Sequence, residues 1–291
     1  MLENFLTYLI TEKRASEHTV IAYQKDLQDF FDFLAIDDFE ELKEVNHQLV
    51  RSWMVHLIDN GVSNRSVNRK LSTLRTFYKW CLKEEVVEKN PMLLVKGPKT
   101  SKRLPEFVKV EELDNFNISQ KVGANLEVED MLMVEVFYQT GMRLSELINL
   151  KFTDIQNASL KVLGKRNKER IIPISSELLA GLNEMKSKRS DLAKTPYIFI
   201  TKKGNKLYPK FVYRRINKYL SCVTNLDKRS PHVLRHTFAT HMLNNGAGLE
   251  TIKELLGHAN LSATQVYTHN SFDEINKIYK QAHPRGGHNT K

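Results

Sequence analysis

The sequence predicts a mainly α protein of two domains, with one small β-sheet confined to the second. Three observations lead there. Apolar residues recur at helical spacing through the first hundred positions. A short basic segment punctuated by proline and glycine then interrupts the pattern. Beyond it the helical spacing resumes and is broken once, by two short strand-like runs around a polar turn. A length of 291 residues suits two domains of ordinary size, and a hydrophobic share of 41% suffices for a core in each.

The first domain, residues 1–96, reads as four helices. Leu2, Phe5, Leu6 and Leu9 form one apolar face. Ser16 is placed to cap a second helix carrying Val20, Tyr23, Leu27, Phe30, Phe31 and Leu34. A third carries Leu49, Trp53, Met54 and Leu57 and stops at Gly61, a candidate C′ glycine. A fourth starts near Ser63 or Ser66 and carries Val67, Leu71, Leu74, Phe77, Tyr78 and Leu82. Arg65, Arg69, Lys70, Arg75 and Lys79 accompany that last stripe. Such cations suit either a solvated face or a helix laid along DNA, with each charge on a phosphate.

Residues 97–106 read as an extended linker, and residues 107–291 as the second domain. Helical patterns cover Val110–Phe116 and Val128–Thr140, the latter ended by Gly141. Ser145 is placed to cap a short helix to Leu150. Residues 159–174 read as two strands around Lys165-Arg166-Asn167-Lys168. Helical segments follow at about 176–189, 209–224, 232–245, 249–257, 261–268 and 271–282.

Charge divides the chain as well. Net charge is +10 overall, but residues 1–100 carry −1 and residues 101–291 carry +11. A basic domain of this kind favours a polyanion partner. No run of apolar residues is long enough to span a bilayer, and the N-terminus lacks a secretory pattern. Cys81 and Cys222 have no metal-type spacing and read as buried free thiols of a reducing compartment, so a cytoplasmic location is expected.

No P-loop, GxGxxG, CxxC or HExxH pattern is present. What remains is basic and aromatic: Arg143, Lys165, His232, Arg235, His258 and Tyr267. Phosphodiester transfer without a metal asks for such a set. Arginine suits the charge that gathers on the non-bridging oxygens. Lysine can protonate a leaving oxygen. A tyrosine hydroxyl, with an ordinary pKa of about 10, needs a neighbour such as histidine to activate it. His232 and Arg235 are three apart in HVLRH and so share a helix face. His236 and His241, in the same run, read as structural residues, capping or packing.

The stretches TGMRLSEL (140–147), LGKRNKERIIPI (163–174), HVLRHTFATHML (232–243), LLGHANLSATQVYTH (255–269) and IYKQAHPRG (278–286) resemble the tyrosine recombinases, also called the phage integrase family. The LGHANLSATQVYTH block and the AHPR ending are most similar to the chromosomal Xer group. By that resemblance Arg143 and Arg235 clamp the scissile phosphate and Lys165 is the general acid toward the 5′ oxygen. His232 is the acid/base partner of the tyrosine, His258 donates to the phosphate, and Tyr267 is the nucleophile of a 3′-phosphotyrosine intermediate. Glu146 supports the site. Arg166 stands where glycine is commoner, which keeps Arg166 and Lys168 open beside Lys165 as the acid.

The resemblance further implies a two-domain DNA clamp, made of a four-helix core-binding domain and a catalytic domain with a docking tail at 271–291. A final helix folded onto its own domain is the alternative for that tail. It implies double-stranded DNA as substrate, a homo- or heterotetramer with a second Xer recombinase, strand exchange through a Holliday junction, and resolution of chromosome dimers at a dif-type site. A division-linked DNA translocase of the FtsK type is an implied partner. No metal is expected, because Arg143 and Arg235 supply the charge that a metal provides elsewhere, and no nucleotide, because phosphotyrosine retains the bond energy. A mobile-element integrase of the same chemistry and a non-catalytic architectural DNA-binding protein are the competing readings.

Overall fold

The structure is a computed structural model that describes residues 2–36, 38–100, 106–117, 127–164, 168–188, 195–257 and 269–287. It divides into two compact units, Met1–Arg103 and Leu104–Lys291.

The first unit holds α1 (Leu2–Thr11), α2 (Glu17–Leu34), α3 (His47–Asp59) and α4 (Asn64–Lys83), with 3₁₀ turns at Phe39–Lys43 and Pro91–Leu94. The starts and stops follow local chemistry. The Ser16 side chain accepts from Thr19 N, and that of Ser63 from Ser66 N. After α3 the chain turns through Gly61 at φ +76°, a conformation that costs glycine nothing. The helices close on an aromatic core in which Phe30 meets Trp53 edge-on at 5.0 Å, and Phe5 meets Phe77 edge-on at 5.1 Å. Residues beyond α4 are strapped back onto the bundle. Asn68 donates to Pro98 O (2.8 Å) and Asn64 to Lys99 O (2.9 Å). Gly97 passes so close that a Cβ there would lie 1.8 Å from the Asn68 side-chain oxygen. The first residues of the basic segment thus run along α4.

The second unit comprises α5 (Val110–Asn117), α6 (Val128–Thr140), α7 (Leu144–Asn149), β1 (Ile155–Gln156), β2 (Ser159–Leu163), β3 (Glu169–Pro173), α8 (Ser176–Lys188), α9 (Pro209–Val223), α10 (Pro231–Asn244), α11 (Leu249–Leu256) and α12 (His269–Ala282). The sheet is antiparallel in the order β1-β2-β3, with Leu160 opposite Ile172 and Leu163 opposite Glu169. Gly164 N donates to Lys168 O (2.8 Å) and closes the β2–β3 hairpin. The two-residue β1 is too short to carry a periodicity of its own, so sequence pattern alone does not reveal it. The core helix is α6, where Met133, Val134, Val136, Phe137 and Tyr138 are all buried. It packs against α8, α9 and α10.

Two local expectations are corrected. Ser145 does not cap α7, because it sits in the first turn; the cap position is Arg143. Cys222 is a free thiol but exposed, unlike the buried Cys81, because α9 turns Val212, Ile216, Tyr219 and Leu220 inward and leaves Cys222 outside. The helix expected at 261–268 lies outside the described residues. Among those described, no helix is long and apolar enough to cross a membrane.

The C-terminal helix α12 packs on its own unit, against α10 and β3. Ile275, Tyr279 and Ala282 are buried there. The following residues extend this packing. His283 is buried, its ring stacked on Tyr279 at 4.9 Å with Nε2 3.2 Å from Tyr138 O. Arg285 pairs with Glu135 and Asp114.

Candidate active site

The site grows from two chain ends. Helix α6 stops at Gly141 in the left-handed conformation, φ +57°, and the chain re-enters α7 at Arg143. Helix α11 stops at Gly257, φ +65°, and leaves its last carbonyls without helical partners. Three arginines take those carbonyls in succession. Arg170 Nε donates to Leu255 O (2.7 Å), Arg235 Nη2 to Leu256 O (2.8 Å), and Arg143 Nη2 to Gly257 O (3.1 Å). Cations at the negative end of a helix are favourable. Here each also bridges to another element. Arg235 Nη1 reaches Gly141 O (2.6 Å) and so ties α10 to the α6–α7 junction.

Glu146 is the carboxylate of this cluster. It accepts from Arg143 N (2.7 Å), Arg143 Nη1 (2.9 Å), and both Nη atoms of Arg170 (3.1 and 2.8 Å). Burial alone would raise its pKa, but the hydrogen bonds and charge of Arg170, joined by those from Arg143, hold it below the usual carboxylate value. It therefore stays ionised. Arg235, 7% exposed, has its pKa drawn down to about 10 by burial and then by the neighbouring Arg143 and Arg170 charges. It remains charged at neutral pH. Three guanidinium groups thus face one carboxylate, and the surplus is positive. Such fixed, partly desolvated donors suit an anion whose charge grows in a transition state.

His232 opens α10 one turn before Arg235 and is exposed. The structure therefore brings Arg143, Glu146 and Arg235 into one cluster and places His232 at its helix. Lys165, His258 and Tyr267 lie outside the described residues. Gly164 and Gly257, which precede Lys165 and His258, are described, and both abut Arg170.

Arg170 is a member of the cluster that the sequence motifs do not single out. Its signal is a cation at an inward position of a strand. Residues two apart share a face, so Arg170 points with the buried Ile172. His241 is a packing residue as expected, its Nδ1 2.9 Å from the Tyr138 hydroxyl. Burial, followed by the charge of His232, lowers the pKa of His236.

The cations of α4 separate by helical phase. Arg65, Arg69, Arg75 and Lys79 fall on its exposed side. Lys70 is a correction: it is 8% exposed and paired with Asp26 (3.1 Å) and Asp29 (2.6 Å). At roughly 100° per residue it lies on the side of Leu74 and Phe77, not that of Arg65. Asp26 also accepts from Arg69 and from Thr73 (2.9 Å). Arg75 donates to Val95 O (3.0 Å), so part of its guanidinium is used inside the unit. In the second unit, α9 presents Lys210, Arg214 and Lys218 to solvent, a basic face that sequence pattern did not single out.

Comparison with known proteins agrees with this architecture. Residues 106–274 match the family model for the phage integrase family, and residues 2–85 match that for the phage integrase N-terminal SAM-like domain. Tyrosine recombinase XerC of Anoxybacillus flavithermus is 36% identical, over 98% of this chain and 97% of its own. Tyrosine recombinase XerD of Staphylococcus epidermidis is 35% identical, over 98% and 99%. The crystal structure of the XerH site-specific recombinase on a palindromic difH substrate, a post-cleavage complex, has a TM-score of 0.71. It shares 22% identity and covers 95% of this chain and 82% of its own, a likeness of fold. A full-length match at this identity, on a chain whose two units match the family's two domain models in order, places this protein in the phage integrase family of tyrosine recombinases, enzymes that cut and rejoin DNA.

Proposed function

We propose that this chain is an Xer-type site-specific recombinase acting on double-stranded DNA at a dif-type site. The observation that carries the reading is the clamp of Arg143 and Arg235. Both guanidinium groups are held by backbone carbonyls before any substrate arrives, with net positive charge around Glu146. In this reading the Tyr267 hydroxyl attacks the scissile phosphorus while His232 accepts its proton. The bond to the 5′ oxygen breaks, and Lys165 protonates that oxygen. Arg143, Arg235 and His258 hold the non-bridging oxygens. The product is a 3′-phosphotyrosine, which a 5′ hydroxyl of the partner duplex attacks in turn, releasing Tyr267. No external energy source enters the balance.

Four protomers on two paired sites, of this chain alone or with a second Xer recombinase, would pass through a Holliday junction. The relatives named XerC and XerD support chromosome dimer resolution; a cytoplasmic location and a division-linked translocase as partner are further parts of the proposal. Arg65, Arg69, Arg75 and Lys79 would meet phosphates on behalf of the first unit. The test is a nicked suicide substrate that traps covalent protein–DNA. The wild type is expected to form the adduct, and Tyr267→Phe to bind DNA equally and form none. A wild type that binds but never forms the adduct would favour the architectural reading, and an adduct in Tyr267→Phe would remove Tyr267 from its role.

A further inference from the structure

We propose that Arg170 is a positioning residue of the phosphate clamp: it takes the two-pronged grip on Glu146 and so leaves Arg143 free for the phosphate. The proposal rests on the recombinase reading above, and it gives a function to a side chain that the reading leaves unused.

Arg170 is the second residue of β3 and only 3% exposed. Its Nη1 and Nη2 donate to the two oxygens of Glu146, at 3.1 and 2.8 Å. Its Nε donates to Leu255 O (2.7 Å), which fixes the plane of the fork against the end of α11. The Glu146 side chain is as deeply placed, 4% exposed. A carboxylate offers about four acceptor sites. Those of Glu146 are filled by the two Arg170 bonds, by Arg143 N (2.7 Å) and by Arg143 Nη1 (2.9 Å). The Arg143 guanidinium therefore holds the carboxylate by one prong only. Its Nη2 goes to Gly257 O (3.1 Å), and its Nε has no hydrogen-bond partner among the described residues. The Arg143 side chain is 28% exposed, so the donors it has to spare can be reached from outside.

Paired forks are the strong geometry between a guanidinium and a carboxylate, and one guanidinium takes it at a time. Without Arg170, two acceptor sites would stand open on a buried carboxylate, which is a costly state. The Arg143 guanidinium, already on one of those oxygens, would close the fork itself. It would then leave Gly257 O and turn its N–H groups inward, away from a phosphate. Arg170 occupies the fork and removes that alternative. An arginine needed only to neutralise Glu146 would be matched by lysine, which carries the same charge. Lysine cannot take both oxygens in one plane and hold Leu255 O as well, since its ammonium is a point charge on a flexible stem. Misplacement of a reacting group by about 1 Å can cost about 100-fold in rate.

The test compares cleavage of an ordinary suicide substrate with cleavage of one whose scissile phosphate is a methylphosphonate. The methyl group removes the negative charge, so the transition state gains less from the cations of the clamp. Arg143→Ala serves as reference; its methylphosphonate-to-phosphate rate ratio is expected to rise at least about 100-fold above that of wild type. Arg170→Lys is expected to bind a half-site within about threefold of wild type, because it touches no DNA. It is expected to cleave the ordinary substrate about 100-fold more slowly, and to raise the same ratio at least about tenfold. The ratio is taken within each variant, so the amount of folded protein cancels and a purely structural loss leaves it flat. Glu146→Gln is the second variant, used where Arg170→Lys yields no soluble protein. It keeps the shape but has one accepting oxygen, so the grip of Arg170 is lost and Arg143 is set loose. The ratio is expected to rise there as well. A flat ratio in Arg170→Lys, or in Glu146→Gln where it stands in, overturns the proposal. A flat ratio in Arg143→Ala strikes the clamp beneath it, and absence of any adduct in wild type strikes the recombinase reading itself.

Discussion

Arg235 shows how much one side chain does here. It is buried, it repels two other guanidinium groups, and its pKa is drawn down to about 10 for those reasons. What holds it is a fork: one Nη on Gly141 O, the other on Leu256 O. These carbonyls belong to different helix ends, so the fork also sets the distance between them. Arg235→Lys keeps the charge but cannot serve both carbonyls. The loss of one charged hydrogen bond is expected to cost about 2 kcal/mol. In a unit of this size that corresponds to a fall of roughly 4–8 °C in the unfolding midpoint. Adduct formation is expected to fall about 100-fold, since the donors move as well as weaken. Thermal unfolding and the suicide-substrate assay read the two effects; a variant of unchanged midpoint and rate would show that the fork is idle. The neighbouring Glu146 acts at the same scale. By pairing with the Arg143 guanidinium and capping the Arg143 amide, one carboxylate fixes both ends of that residue.

At the level of elements, α4 carries two kinds of cation. Lys70 is internal to the bundle, and also lies 5.9 Å from the Trp53 ring centre. Arg65 and Lys79 are exposed. Affinity for a half-site should therefore respond differently to each. Arg65→Ala and Lys79→Ala are each expected to make the slope of log affinity against log salt shallower, by about 0.9 for each phosphate left without its cation. Lys70→Met is expected to leave the slope unchanged and to destabilise the bundle by on the order of 2 kcal/mol, because Asp26 keeps Arg69 and Thr73. A slope that falls with Lys70 and not with Arg65 or Lys79 would reverse the assignment. The same helix shows what a sequence can reveal. The apolar stripe of α4, its Ser63 cap and the glycine stop before it are all events within four residues of each other. So is the His232–Arg235 spacing, and the Arg143–Glu146 pair. The inward phase of Arg170 is local, but its partners were invisible because they are 24 and 85 residues away, and no local period registers such pairings. Lys70 was misplaced because composition counts a cation without its phase. The apolar spacing of the tail was legible and suited either docking or a helix folded on its own domain; tertiary contact decides what covers it, and here Ile275 and Tyr279 are covered within their own unit. Cutting the chain after His269 would therefore strip a core surface, and such a truncation would report on stability as well as on assembly.

The whole catalytic unit feels acid through His283. Burial, the largest cause, pulls its pKa down to about 3, so the folded protein keeps the ring neutral. The unfolded chain regains an ordinary value near 6.5. Between those values the unfolded state binds a proton that the folded state refuses, so stability rises with pH across the window and is lost on acidification. At pH 5 this one residue accounts for roughly 2 kcal/mol of lost stability. His283→Phe retains the stacking on Tyr279, forfeits the hydrogen bonds of the ring to Tyr138 O and from Arg285 N, and is expected to be less stable at pH 7. Its loss between pH 7 and pH 5 should be smaller than that of wild type by about that amount. Denaturant midpoints at the two pH values measure it, and equal losses would discharge His283. A different dependence follows from the three guanidinium groups gathered at the end of α11 around a single carboxylate. The folded chain, alone, holds like charges together that the unfolded chain lets drift apart. An anion seated among them relieves that repulsion and has no comparable seat on the unfolded chain. By mass action, whatever occupies the clamp shifts the population toward the folded state. The target is then more than something the enzyme acts on. The protein is more robust where it works than in transit, and the molecules most exposed to unfolding and proteolysis are those that have not yet found DNA.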